Sequence, residues 1–178
     1  EAILEIMEPT GPDSQITSFL DKRGPGIHHV CLQVDDIRGS LSDLDAAADV
    51  PSAVVDHFGR LDVVVAAAAV VSHGGAYDTG WNVPFEKQEA GLWSSALNVN
   101  VTSTFALVQA AAGPLAVHGV GSIVLVSSQY GFLAPQTAMY EGTGLQNVAG
   151  YAVSKAGLTQ LARWLSTTLA PDVRVNSV

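Results

Sequence analysis

Apolar residues are arranged along this chain in two ways, and each predicts a different element. Uninterrupted runs such as Val63-Val64-Val65 and Ile123-Val124-Leu125-Val126 read as parallel strands buried on both faces. Spaced stripes read as helices whose apolar side meets such a sheet. Trp93, Leu97, Val101, Val108 and Ala112 share one face of a helix over 90–112, and Leu158, Leu161, Leu165 and Leu169 mark a second over 150–169. Strands are expected over 61–70, 123–126 and 173–178, with a helix ending over 54–59. A loop is expected over 72–89, where three glycines and a proline break any period. The alternation predicts an α/β fold with a mainly parallel sheet and helices on both faces.

Ahead of residue 45 the pattern is finer. Residues 2–8 alternate as a strand, with Ile3, Glu5 and Met7 on one side. A turn at Pro9 to Pro12 precedes a short helix capped by Asp13 or Ser14. A second strand is expected over 27–34, with Val30, Leu32 and Val34 opposite His29, Cys31 and Gln33, and Asp36 then opens another helix. Around 45–52 this pattern fades without a flexible linker, which divides the chain into segments 1–48 and 49–178.

Composition narrows the function. At 178 residues and 48% apolar, the chain can bury a single core. A net charge of −9 argues against nucleic acid and anionic membrane surfaces as partners. The single cysteine, Cys31, precludes an internal disulfide and fits a reducing, cytoplasmic setting. No uncharged apolar run in the sequence reaches the length of a membrane span, and no signal peptide is recognisable.

Candidate chemistry centres on Tyr151 and Lys155, four apart on the second helix and so on one face. A phenol at ~10 exchanges protons poorly at neutral pH, and a lysine one turn away favours the phenolate form. Such a pair serves proton exchange with an alcohol or ketone. Ser128 closes the strand run over 123–126 and falls at its carboxyl end, where open α/β sheets bind ligands. Tyr151 lies in the same angular sector as the leucine stripe. A Tyr/Lys pair on an unrelated surface helix remains the plainer alternative.

These residues carry a resemblance. His57-Phe58-Gly59-Arg60-Leu61-Asp62-Val63-Val64-Val65, Leu97-Asn98-Val99-Asn100-Val101-Thr102, Ser122 to Ser128 with Gly131, Tyr151 to Lys155, and Arg174-Val175-Asn176-Ser177-Val178 follow the order of the short-chain dehydrogenase/reductase family. The resemblance spans about 52–178 and implies a Rossmann-like fold. It also implies a nicotinamide-dependent oxidoreductase, using NAD or NADP, that moves hydride between cofactor and a secondary alcohol or ketone. Tyr151 would be the acid/base, Ser128 would bind the carbonyl oxygen, and Lys155 would hold the nicotinamide ribose. Asn98 and Asn100 flank the helical stripe and periodicity leaves both open. The family's Asn, apolar, Thr pattern selects Asn100, implying a helix kink and a relay water. Where the family has Asn-Asn-Ala-Gly on the cofactor side, this chain has Ala66-Ala67-Ala68-Ala69, with Ala67 and Ala68 at cofactor-facing positions. The family's glycine-rich phosphate turn and its substrate lid have no counterpart in this sequence, and a homo-oligomer pairing through the two long helices is implied.

Between Ser128 and Tyr151 the chain is longer than the family pattern by roughly ten residues, within ordinary loop variation. Tyr140 lies at the usual distance from Ser128, but its +4 position is Gly144, so Tyr151 is selected. A similar Tyr-Glu-Gly-Thr insert is found in reductases of bacterial nonulosonic-acid and flagellin-sugar pathways, which implies a sugar derivative as substrate. An ordinary surface loop explains the insert equally well.

The first segment resembles another family. Glu5-Ile6-Met7-Glu8-Pro9, Gly26-Ile27-His28-His29-Val30 and Val34-Asp35-Asp36-Ile37 are similar to methylmalonyl-CoA epimerase, a vicinal-oxygen-chelate metalloenzyme. Carried over by position, Glu5 and His29 match two of four metal ligands, fewer than the three that open catalytic sites keep. Two alternatives to the oxidoreductase follow: a divalent-metal epimerase-like module acting on a CoA thioester, and an inactive fusion or fragment. The Thr10-Gly11-Pro12-Asp13 turn, with one glycine and an acid, does not make a pyrophosphate site.

Overall fold

A computed structural model describes residues 44–70, 83–143 and 146–178. The strands expected over 2–8 and 27–34, the helix start at Asp36, Cys31, and the candidate metal ligands Glu5 and His29 lie outside these residues.

Helix α1 (Leu44–Phe58) ends where Gly59 takes φ +77° and donates its N–H to Val55 O at 2.7 Å. Glycine enters that left-handed region without a Cβ penalty. The helix runs unbroken through residues 48 and 49, where the two sequence segments meet. Strand β1 (Val63–Ala66) pairs in parallel with β2 (Gly121–Leu125), which pairs in parallel with β3 (Val173–Ser177), in the order β1-β2-β3. Between β1 and β2 run α2 (Ala90–Leu97) and α3 (Ser103–Ala116), and α4 (Ala149–Thr168) leads from β2 to β3.

The sheet's register explains its core. Val64 stands opposite Ile123 and Ile123 opposite Val175, with Ala66 opposite Leu125 in the next inward row. These side chains pack against Val108, Ala111 and Leu115 of α3 and Leu158, Ala162 and Leu165 of α4. Each large aliphatic buried this way is worth ~1.5–3 kcal/mol relative to exposure.

Two expectations about the core are corrected. The continuous apolar runs predicted strands buried on both faces, yet burial alternates along all three. Val65 is 46% exposed and shares its row with Val124 and Asn176. Among the described residues the helices cover one face of the sheet, so only alternate residues are buried. The strand expected over 61–70 also closes early, at Ala66, because the chain then turns away to meet α2 and the helical turn after it.

The helical stripe needs the second correction. The predicted face began at Trp93, but Trp93 is 39% exposed while Ala96, Val99, Asn100, Ser103, Thr104, Val108, Ala111 and Leu115 are buried. The cause is a π-helical turn over Asn98–Thr102 between α2 and α3. Its wider turn, with more residues per turn than an α-helix, rotates the buried face, and small or polar residues occupy the closest approach to α4. Gly157 contributes there as well: a Cβ on it would meet Val101 Cγ2 at 3.4 Å. Its space therefore serves a contact within the chain. Gly121 is similarly constrained, since an added Cβ would lie 2.6 Å from Leu115 O where α3 crosses the start of β2.

Candidate active site

The segments that follow β1 and β2 meet the first turns of α4, through Asn100 between Val70 and Ser154 and through Lys155 on Val126 O. Lys155 is 2% exposed. Its Nζ donates to Val126 O at 2.7 Å and lies 5.7 Å from the centre of the Tyr151 ring. One N–H is thereby spent on the strand end, and the ammonium's two other donors have no hydrogen-bond partner among the described residues. The Tyr151 ring packs with Val70, Leu92, Ala96 and Val148 in a small apolar cluster apart from the main core. Tyr151 and Lys155 thus share one face of α4, as their spacing predicts.

Asn100 is fully buried in the π-helical turn, whereas Asn98 is exposed. Its Oδ1 accepts from Val70 N–H at 2.7 Å, and its Nδ2 donates to Ser154 Oγ at 2.8 Å and to Val70 O at 3.4 Å. Ser154 Oγ in turn donates to Tyr151 O at 2.7 Å. One side chain therefore ties the segment after β1 to the helix that carries Tyr151 and Lys155. Ala67 and Ala68 leave the end of β1 exposed, with no side-chain donor to offer a ligand.

Ser128 follows β2 and caps the short 3₁₀ turn Gln129–Gly131, its Oγ accepting from Tyr130 N–H at 3.2 Å. Among the described residues its own proton has no acceptor. Tyr140 lies in another 3₁₀ turn (Thr137–Tyr140), and its hydroxyl is hydrogen-bonded to that of Tyr130. It has no lysine beneath it.

Several positioning residues escaped the pattern reading. Ser127 Oγ donates to Lys155 O at 2.8 Å and also meets Thr159 Oγ1 at 2.8 Å. Gly131 sits so close to α4 that a Cβ would lie 3.0 Å from Lys155 C and O. Gln88 Oε1 accepts from Ala149 N–H at 3.2 Å, capping α4 from a distant loop. No local rule signals that cap, because its two partners are 61 residues apart. Ser127 alone had a signal, as the neighbour of Ser128 on an alternating strand.

Burial lowers the Lys155 pKa from its ordinary 10.5. The unfolded chain thus binds this proton more tightly than the native state does. The resulting cost is present at neutral pH and is relieved as pH rises from the lowered value toward 10.5. Wild-type stability measured against Lys155→Met should therefore increase with pH in that alkaline window. Urea unfolding at a series of pH values checks the sign; a difference that shrinks with rising pH contradicts it.

A crossover-connected parallel sheet with a Tyr/Lys pair on the helix between its last two strands and a buried Asn beside that helix defines a Rossmann-like α/β class of fold. The chain belongs to the short chain dehydrogenase family, whose pattern it matches over residues 27–178. That match begins earlier than the expected residue 52. It is 35% identical over 143 residues to an uncharacterized oxidoreductase of Mycobacterium tuberculosis (strain CDC 1551 / Oshkosh), covering 79% of this chain and 46% of that protein. Carveol dehydrogenase from Mycobacterium avium, solved in complex with NAD, superimposes with a TM-score of 0.61 and 28% identity, over 78% of this chain and 44% of that one. The chain spans about half the length of the oxidoreductase relatives it matches. Mitochondrial methylmalonyl-CoA epimerase of Mus musculus is 48% identical over 42 residues, 23% of this chain and 24% of the epimerase. Among the described residues, no group of three or more His, Cys, Asp or Glu is placed to hold a metal, and no helix is long and apolar enough to cross a membrane.

Proposed function

We propose that the chain carries the proton-transfer half of an oxidoreductase that moves hydride between NAD or NADP and a secondary alcohol or ketone, sugar derivatives included. The observation that carries this reading is that Lys155 Nζ donates to Val126 O just past the end of β2 and lies 5.7 Å from the Tyr151 ring, with Ser128 following the same strand. The free donors of Lys155 suit the hydroxyls of a nicotinamide ribose, beside the exposed strand end at Ala67 and Ala68. When bound, the nicotinamide supplies or accepts the hydride. Tyr151 passes the proton to or from the substrate oxygen, and Ser128 donates a hydrogen bond to that oxygen. Asn100 shapes the turn beneath Lys155 and offers its carbonyl oxygen to a relay water. Residues 1–48 form, in this reading, an epimerase-like segment with no part in the chemistry. Cys31 fits a reducing cytoplasm. Val153 and Trp164, both exposed and about three helical turns apart, offer one face of α4 for self-association.

A pyrophosphate is normally held by a glycine-rich turn at a helix N-terminus. No such turn occurs in this sequence, so NADH should bind with a Kd above the ~1 μM–1 mM span usual for enzyme ligands. Calorimetric titration measures this, and micromolar binding would mean that other residues rebuild the phosphate site. The activity itself is tested with deuterated NADH at saturating concentration and a panel of cyclic ketones. Deuterium at the carbinol carbon supports the reading; none with any ketone removes it.

A further inference from the structure

The insert between Ser128 and Tyr151 holds a hydrogen-bonded pair that proton transfer does not use. The hydroxyls of Tyr130 and Tyr140 are bonded to each other. Two phenols own two O–H protons, and their mutual bond consumes one of them. The neighbouring Asn147 side chain acts on Tyr140 in the sense that favours the phenolate, as an amide N–H directed at the hydroxyl does. Whichever tyrosine donates within the pair, the other O–H has no hydrogen-bond acceptor among the described residues, and both side chains are half-buried.

The pair's position follows from its turn. Tyr130 N–H donates to Ser128 Oγ, and the turn Gln129–Gly131 packs against α4 so closely that a Cβ on Gly131 would lie 2.9 Å from Ser127 Oγ and 3.0 Å from Lys155 C and O. Tyr140 lies within electrostatic reach of Tyr151. The Tyr140 pKa is raised, first by its bond to Tyr130 and then by burial, so Tyr140 keeps its proton through the physiological range. The pair's unspent donor needs an oxygen acceptor.

We infer that the Tyr130–Tyr140 pair is a specificity element that hydrogen-bonds a second oxygen of the substrate, selecting vicinal hydroxy ketones and diols over simple ketones and alcohols. This rests on the proposed oxidoreductase reading and adds a substrate class to it. A substrate lacking the second oxygen leaves the phenol proton unmatched, and a desolvated, unmatched donor is penalised.

The test compares 2-hydroxycyclohexanone with cyclohexanone, which differ by the one hydroxyl. Binding is followed by chemical-shift titration of the Tyr130, Tyr140 and Asn147 amides, a reading that needs neither cofactor nor turnover. The hydroxy ketone should bind about tenfold more tightly to the wild type, the worth of one well-placed hydrogen bond. Tyr130→Phe/Tyr140→Phe should bring the ratio to about one, and Tyr140→Phe alone, which spares the fold if the double variant does not, should lower it at least about threefold. A wild type without preference overturns the inference, as does a preference that survives both variants. Deuteride transfer without this preference sinks the tyrosine inference alone. Preference without transfer sinks the oxidoreductase reading alone.

Discussion

Tyr151→Phe is expected to lower NAD(P)-dependent turnover by ~10²–10⁴-fold, the usual worth of a positioned general acid/base. The substitution keeps the ring among Val70, Leu92, Ala96 and Val148 and removes only the hydroxyl. Stability should therefore stay within ~0.5 kcal/mol of wild type, as for changes that disturb no packing. That combination separates chemistry from folding. Turnover at saturating cofactor and thermal melting of the same preparation read the two quantities. Activity within threefold of wild type would show that another group exchanges the proton and that Tyr151 is merely a packed ring.

Asn100→Ala should produce the opposite signature, a large loss of stability that carries activity down with it. The substitution removes hydrogen bonds to Val70 N, Val70 O and Ser154 Oγ in a fully buried site. At ~1 kcal/mol each, with Val70 N–H left unmatched, the cost is ~3 kcal/mol. For a chain of this size that lowers the Tm by ~6–12 °C. Asn98→Ala, at an exposed position one turn-edge away, should stay within ~0.5 kcal/mol. Equal melting of the two variants would mean that the buried amide does not hold the strand end to α4.

The two asparagines also show where sequence reasoning reaches its limit. On an ideal helix both flank the apolar stripe, and angle alone cannot separate them. The π-helical turn breaks the ideal spacing and carries Asn100 inward, a displacement produced by the contact with α4. The same turn explains why the expected Trp93 stripe is not the buried one. Strand burial departs from expectation for another reason. An apolar run shows that a strand can be covered on both faces, while the helices actually packed beside it determine whether it is. Val65 is as apolar as Val64 and is nonetheless 46% exposed.

What the sequence determined by itself is local or periodic. The parallel strand cores, the leucine stripe of α4 and the placing of Tyr151 and Lys155 on one helical face all depend on residues within a few positions of each other. So did the membership of the family, read from ordered motifs. Contacts between distant segments were decided only by the tertiary structure. Gln88 capping Ala149, Ser127 holding the Lys155 carbonyl, Asn100 joining Val70 to Ser154, and Tyr130 meeting Tyr140 each join residues whose own neighbours carry no signal of the other. Buried polar groups must find partners, but which partner each finds depends on how the helices pack on the sheet.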